Sequence, residues 1–306
     1  MKLKNTLATV AFSLSAIISA PAMAAFPEKP ITLVCWSSAG SGHDLMARYI
    51  AKLGEEHLGQ PITVVNKKGG KGKVAMSYVL NQEADGHVIM TNTRSMTQRL
   101  KKTGDSIAID SFKYVSRVVK DPFVITVAKD SPFNTVNDLV EFAKDNPNKI
   151  KVGGYSTNSV DEGLIRDLSN KAGVKLKYIP YKGGKEPVVA VLGGHIDVAI
   201  ANPSEMMANF EVGKLKVLAV ASEKRLAPFE QSATLQEQGY DIVTEHWRGV
   251  MASKNVPDEV VSKLDEAIKK VVADPEFTKF LASSKMYNGY LASDEFAELV
   301  VEQTAK

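Results

Sequence analysis

Short aliphatic runs rich in β-branched residues alternate with longer stretches of 3.6-residue apolar periodicity through most of this chain. Residues 31–34, 62–65 and 87–90 show the first pattern, and residues 44–58 and 74–83 show the second. The alternation predicts consecutive strand–helix units on a parallel sheet. A strand covered on both faces reads as continuously apolar, and the crossover between parallel strands is usually a helix with one apolar stripe. Gln60-Pro61 and Asp85-Gly86 fall between these units as turn dipeptides. A polar loop over 91–96 is expected after the third strand.

A second series follows. Apolar runs at 123–127, 150–152, 176–179, 196–200 and 217–221 alternate with helical patterns at 136–144, 160–172 and 186–192, which predicts a second α/β lobe. Beyond Pro257, the residues Val260, Val261, Leu264, Ile268, Val271 and Val272 keep a helical period, followed by Phe277, Phe280 and Leu281. No low-complexity linker joins the halves. Two crossing strands are therefore expected, 114–119 going out and 246–252 coming back.

The first 24 residues have another character. Lys2 and Lys4 precede an apolar run over 7–20, and Ala22 and Ala24 frame a small-residue cut site, the pattern of a cleaved secretory leader. The run is shorter than the roughly 20 residues a membrane-spanning helix needs. The formal net charge is +3, and without the two leader lysines the chain is close to neutral. A nucleic-acid partner is therefore not expected; Lys67, Lys68, Lys71 and Lys73 make only a local cluster. The single cysteine, Cys35, sits in an apolar run and reads as a buried strand thiol.

Candidate chemistry lies in the loops. Trp36, Ser38, Ala39, Gly40, Ser41 and Asp44 stand between a predicted strand and a predicted helix, where free amides and the positive helix end favour an anion. The serines and Asp44 also suit helix capping. Tyr155, Ser156, Thr157, Asn158 and Ser159 repeat the arrangement in the second half, so the two loops are expected to face each other across a cleft. Thr91, Asn92, Arg94 and Ser95 emerge at the same sheet edge as the first loop. Arg94 reads either as a two-pronged carboxylate contact or as an exposed arginine beside Arg99, Lys101 and Lys102. Arg248, beside Trp247, is open in the same way, and Asn202 ends a strand where it reaches the cleft.

Enzymatic signals are weak. There is no Gly-x-Ser-x-Gly elbow and no His-Glu-x-x-His pair. Gly70, Gly72 and Ala75 fit a dinucleotide spacing, but after the second strand rather than the first. His43 is the only histidine in a proposed site loop and also reads as a helix-start residue. The expectation is a non-catalytic protein with no cofactor and no metal.

Several segments together carry a resemblance. They are 26–34 at the start of the mature chain, Gly40 to Asp44, Val65-Asn66 with Gly69, Gly70 and Gly72, and Ala84-Asp85-Gly86. Further along come Tyr181-Lys182-Gly183, Leu192-Gly193-Gly194 with Asp197, Gly213-Lys214-Leu215, Leu218-Ala219-Val220, and Trp247 with Gly249. In this order the chain resembles the tripartite tricarboxylate transporter receptors, or Bug-type extracytoplasmic solute receptors. The resemblance implies a two-lobed, type II-like periplasmic binding protein of the Venus-flytrap kind, each lobe a sheet flanked by helices, joined by crossing strands. The corresponding division is a leader over 1–24, one lobe from 25–118 and 249–306, and a second from 119–248. It also implies a periplasmic monomer that captures a small carboxylated solute for a transporter of one large and one small membrane subunit. In that family the carboxylate is gripped by the positions of Ser38 through Ser41 and Ser156 through Ser159. Trp36, Arg94, Val160 and Arg248 depart from the family pattern and imply a more cationic, more aromatic pocket. A receptor for an ATP-driven or another tripartite (TRAP) transporter, or a periplasmic enzyme, stays open as an alternative.

Overall fold

The computed structural model describes residues 26–100 and 107–305. The leader, together with Lys101 and Lys102, lies outside the described residues. The chain first lays down β1 (Ile31–Cys35), α1 (Gly42–Leu58), β2 (Ile62–Asn66), α2 (Lys73–Leu80), β3 (Val88–Thr93), α3 (Arg94–Leu100) and β4 (Phe112–Lys120). It continues with β5 (Val124–Ala128), α4 (Val136–Asp145), β6 (Lys151–Tyr155), α5 (Val160–Ala172), β7 (Lys177–Tyr181), α6 (Lys185–Leu192), β8 (Val198–Ala201), α7 (Pro203–Glu211) and β9 (Leu215–Val220). β10 (Trp247–Ser253), α8 (Asp258–Ala273), α9 (Pro275–Ser284), β11 (Tyr287–Leu291) and α10 (Ser293–Ala305) complete it. Among the described residues no helix is long and apolar enough to cross a membrane.

Two sheets result, in the orders β11-β4-β10-β3-β1-β2 and β7-β6-β8-β5-β9. The consecutive strand–helix units are parallel as expected: β1 with β2 and β3, and β6 with β7 and β8. The sheets as wholes are mixed, because antiparallel strands extend the expected parallel units. β10 runs antiparallel to both β3 and β4, and β5 antiparallel to both β8 and β9. In the first sheet the return of the chain delivers β10 against the direction of the βα units, and in the second β5, arriving by the outgoing crossing, runs against them.

Each sheet is apolar on both faces. In β1, Ile31 and Leu33 pack with Met46, Ile50, Leu264 and Ile268 from α1 and α8, while Val34 turns to Met76, Met90, Trp247 and Phe296 on the other side. The second sheet divides likewise, Ile125 and Ile200 toward Leu139 and Leu164, Val124 and Ala199 toward Val191 and Met206. Full burial of such a side chain contributes about 1.5–3 kcal/mol, so two cores of this size support two lobes. Trp247 belongs wholly to the first core. It is 1% exposed, stands edge-on to Phe296 at 4.9 Å, and donates through Nε1 to Gln303 Oε1 at 2.8 Å.

The chain passes between sheets twice, through 121–123 after β4 and through 221–246 before β10. The two crossings are joined side by side: the Asp121 N–H donates to the His246 carbonyl at 2.9 Å, and Lys120 pairs with Trp247. Gly249 lies where β10 shifts register against β4. A β-carbon there would stand 2.6 Å from the Ser116 carbonyl oxygen and 2.7 Å from the Phe296 ring. Neither neighbour is a flexible chain end, so Gly249→Ala is expected to cost about 1–3 kcal/mol, read as a lower urea midpoint with unchanged slope.

Candidate functional site

The first loop is organised around Asp44. Ser41 caps α1, its hydroxyl accepting from the Asp44 N–H at 3.2 Å. The Asp44 carboxylate turns back to accept from the Gly40 N–H at 2.9 Å, from Arg48 Nε at 2.8 Å and from Asn66 Nδ2 at 2.7 Å. Asn66 also donates to the Ser37 carbonyl at 3.1 Å. Burial alone would raise the Asp44 carboxyl, but the Arg48, Asn66 and Gly40 donors outweigh it and hold the group below the usual carboxylate range. Asp44 therefore shapes the loop from beneath. Ser38, Ala39 and Gly40 form its exposed tip.

Gly42 brings this loop to the other half of the molecule. A β-carbon on it would meet Arg248 Nη1 at 3.1 Å and the Ser204 hydroxyl at 3.7 Å, so a larger residue there would press on the guanidinium that lies beside the first turn of α1. Both the guanidinium and the helix start are electropositive. Arg248 is ion-paired to Asp121, and both are buried. Ser204 stands in the first turn of α7, a second helix start facing the same point. Asn202, just before it, is committed to structure: its side-chain amide donates to the carbonyls of Asp121 at 2.7 Å and Pro122 at 3.1 Å, tying α7 to the crossing.

The second loop caps α5 through Ser159, whose hydroxyl accepts from the Glu162 N–H and donates to the Ser156 carbonyl. The Tyr155 N–H is held by Asp161, and the Ser156 N–H by the Tyr181 carbonyl. Ser156 and Asn158 adopt left-handed backbone, with φ of 49° and 52°; Thr157 and Asn158 are exposed. Helix α3 lies against this loop. Ser95 Oγ accepts from the Val160 N–H at 3.5 Å, the Arg99 guanidinium sits 5.7 Å from the centre of the Tyr155 ring, and Lys71 reaches the Thr157 hydroxyl at 3.4 Å.

The expected loop over 91–96 is not a loop. β3 runs on to Thr93 and passes directly into α3, because β10 supplies ladder partners for Thr91, Asn92 and Thr93. Thr91 and Asn92 are fully buried strand residues. Arg94 opens α3 and donates through Nη1 to the Glu245 carbonyl at 2.7 Å, which decides against the exposed alternative for it; Arg248, at 6% exposure, is likewise enclosed.

Between these elements lie buried polar atoms without protein partners: Trp36 Nε1, both ring nitrogens of His43, both amide atoms of Asn92, Oδ1 of Asp121, Nδ1 of His246, Nε of Arg248 and Nη1 of Arg99. Trp36 and His43 meet edge to face at 5.5 Å. Burial first, and then Arg248, Arg94, His43 and Arg99 in turn, push the His246 imidazole well below its ordinary range; burial and Arg248 do the same to His43. Both rings are neutral at physiological pH. Burial followed by Asp121 raises Glu205 to about 7, and burial with Glu205 raises Asp161 to about 7 against the opposing Tyr155 amide. Sequence reasoning does not single out His246, Arg99, Asp121, Asp161, Glu205 or Ser204 as site residues. Only His246 and Arg99 carry a sequence signal, through their neighbours Arg248 and Arg94.

The profile of the tripartite tricarboxylate transporter family receptor matches residues 46–306. The UPF0065 protein in the gbd 5'region of Cupriavidus necator is 32% identical over 98% of this chain and 91% of its own length. A TctC solute binding protein from Polaromonas superposes with a TM-score of 0.76 at 31% identity, over 92% of this chain and 96% of that one. An R. palustris protein, solved with adipate, superposes with a TM-score of 0.81 at 25% identity, over 92% of this chain and 95% of that one.

Proposed function

We infer the function from one premise: this chain belongs to the tripartite tricarboxylate transporter receptor family. It is a periplasmic receptor that holds a small carboxylated solute between its lobes and delivers it to a membrane transporter of one large and one small subunit. We assign the lobes as 25–118 with 249–306 and 119–248, a division supported by the pairing of Lys120 with Trp247, which extends the first sheet two residues further at each crossing. Both walls of the cleft come from one chain, so a monomer suffices. The leader over 1–24 supports the location.

One observation carries the reading. The electropositive starts of α1 and α7 and the Arg248 guanidinium converge beside buried donors that lack acceptors. Unpaired buried donors are costly, and helix starts beside a guanidinium favour an anion. The adipate of the R. palustris relative fits a carboxylate guest. A charge-assisted hydrogen bond is worth about 1.5–3 kcal/mol, so a few suffice for micromolar affinity, about 8 kcal/mol.

The test is a thermal-shift screen of the mature chain against dicarboxylates, hydroxy acids and aromatic acids, with the matching amides as controls. An acid at about 100 times its Kd stabilises by about 2.7 kcal/mol, raising Tm by several degrees while its amide does not. Equal shifts with acids and amides, or none with any acid, end the reading.

A further inference from the structure

We propose that this receptor takes up a proton together with its anionic solute, and that the Glu205 carboxyl, beside the buried Asp121–Arg248 pair, is the group that receives it. The proposal rests on the carboxylate reading above and adds the regulation of that same site.

Asn202 gathers the groups concerned. Its main-chain N–H donates to Glu205 Oε2 at 3.1 Å, while its side-chain amide donates to the Asp121 carbonyl at 2.7 Å. The other Glu205 oxygen is pressed against Gly184 so closely that a β-carbon there would overlap it. Glu205 is therefore held between the starts of α6 and α7. It is one residue from Ser204, which meets Arg248 and the start of α1 at Gly42. A solute carboxylate at that point has the Glu205 carboxyl as a neighbour.

The charges around Glu205 do not balance. Two carboxyls, Asp121 and Glu205, share one buried guanidinium: Arg248 is ion-paired to Asp121, while Oδ1 of Asp121 and Nε of Arg248 are buried without partners. From α6 the exposed Lys185 reaches Glu205. From α5 comes a further carboxyl, Asp161, which is engaged by the Tyr155 N–H at 2.9 Å and feels Arg99. His43 on α1 and His246 at the crossing are neutral. Tyr287 of β11, which feels Asp121, donates its hydroxyl to the Ala227 carbonyl at 2.7 Å. Burial, then Asp121, raise Glu205 to about 7 against the Asn202 N–H, Arg248 and Lys185. A solute carboxylate beside Arg248 adds a like charge and draws on the same guanidinium, so it raises Glu205 further. A carboxyl half-ionised before binding is then protonated after it. By reciprocity the proton favours the solute as much as the solute favours the proton. Affinity is therefore highest below pH 7 and declines as pH rises through 7 toward the higher value of the complex.

Calorimetry at pH 7 in PIPES, HEPES and imidazole buffers counts the protons, with succinate, malate, adipate and benzoate as probes. For a rise of about one pKa unit on binding, wild type is expected to take up about 0.4 proton per solute, and to lose roughly five- to tenfold in affinity from pH 6.5 to pH 8.5. Glu205→Gln keeps an oxygen for the Asn202 N–H and cannot titrate. Its uptake is expected near zero, and at pH 8.5 it binds as tightly as at pH 6.5 and more tightly than wild type. Lys185→Gln removes a charge that opposes protonation and moves the affinity midpoint to higher pH. Zero uptake in wild type overturns the proposal while leaving the carboxylate reading intact, as does uptake that survives Glu205→Gln or that Asp161→Asn removes instead. Equal weakening of Glu205→Gln at every pH means that Glu205 only caps α7, and overturns it too. Failure of every acid in the screen to bind removes the carboxylate reading, and the proton uptake with it. Should Glu205→Gln lose its native circular dichroism, the wild-type proton count and the Lys185→Gln shift decide.

Discussion

Asp44→Ala is expected to weaken solute binding strongly and to destabilise the protein by about 2–4 kcal/mol, the sum of several charge-assisted hydrogen bonds net of their exchange with water. The side chain is fully buried, and its loss strands the Gly40 N–H and Asn66 Nδ2 while freeing Arg48 to solvent. The loop over 36–43 then keeps only the Ser41 N–H bond to the Ser38 carbonyl, the Ser41–Ser37 hydroxyl contact and the Asn66 bond to the Ser37 carbonyl to hold its turn. Reordering it on every binding event draws on the binding energy itself, so affinity falls by roughly a hundredfold or more for about 3 kcal/mol. Urea unfolding and calorimetry with the best acid from the screen measure both effects. Asp44→Asn keeps an acceptor and should fall between. An Asp44→Ala protein with wild-type midpoint and affinity would show that the loop is shaped by something else.

Arg248→Ala is expected to cost about 3–5 kcal/mol, the usual consequence of leaving a buried charge alone. Asp121 is fully buried, its carboxyl already raised by burial and held back by Arg248. Without the guanidinium its folded-state pKa rises further above the unfolded value. The native state then binds the proton more tightly, and stability falls as pH rises from the unfolded pKa to the folded one. The deficit of Arg248→Ala should therefore be smaller near pH 5 than near pH 8, and Asp121→Asn added to it should restore part of the loss. Unfolding midpoints across that range provide the measurement; a deficit independent of pH and untouched by Asp121→Asn would mean that packing, not charge, is what Arg248 supplies.

The strand–helix alternation was legible because covered sheets write themselves as apolar runs, and β1 to β3 and β5 to β9 fall where those runs are. Four elements are quieter. α3 is seven residues long with only Met96 and Leu100 of its apolar residues buried, and it starts straight from a strand. α7 follows Asn202 and begins at Pro203, a start signal that competes with the strand before it. β11 carries an Asn288-Gly289 pair, which reads as a turn. α10 hides its apolar face because Phe296 and Val300 are a single spaced pair. In the site, glycine and serine between strand and helix announce an anion loop, but nothing local announces that Asp44 folds it. Nor does sequence pair Arg248 with Asp121 across 127 positions, since that contact exists only once two separate crossings lie side by side.

The strand order sets the sequence in which the halves can form. Every strand of the second sheet lies within one uninterrupted stretch, 124–220, whereas β4 in the first sheet has only β10 and β11 as neighbours. Made from its N-terminus onward, the chain completes the inserted half with all its partners before β10 appears. The enclosing half must wait with the edges of β3 and β4 unsatisfied until the last segment arrives. Exposed strand edges invite intermolecular pairing, so a chain that stops before β10 is the aggregation-prone species.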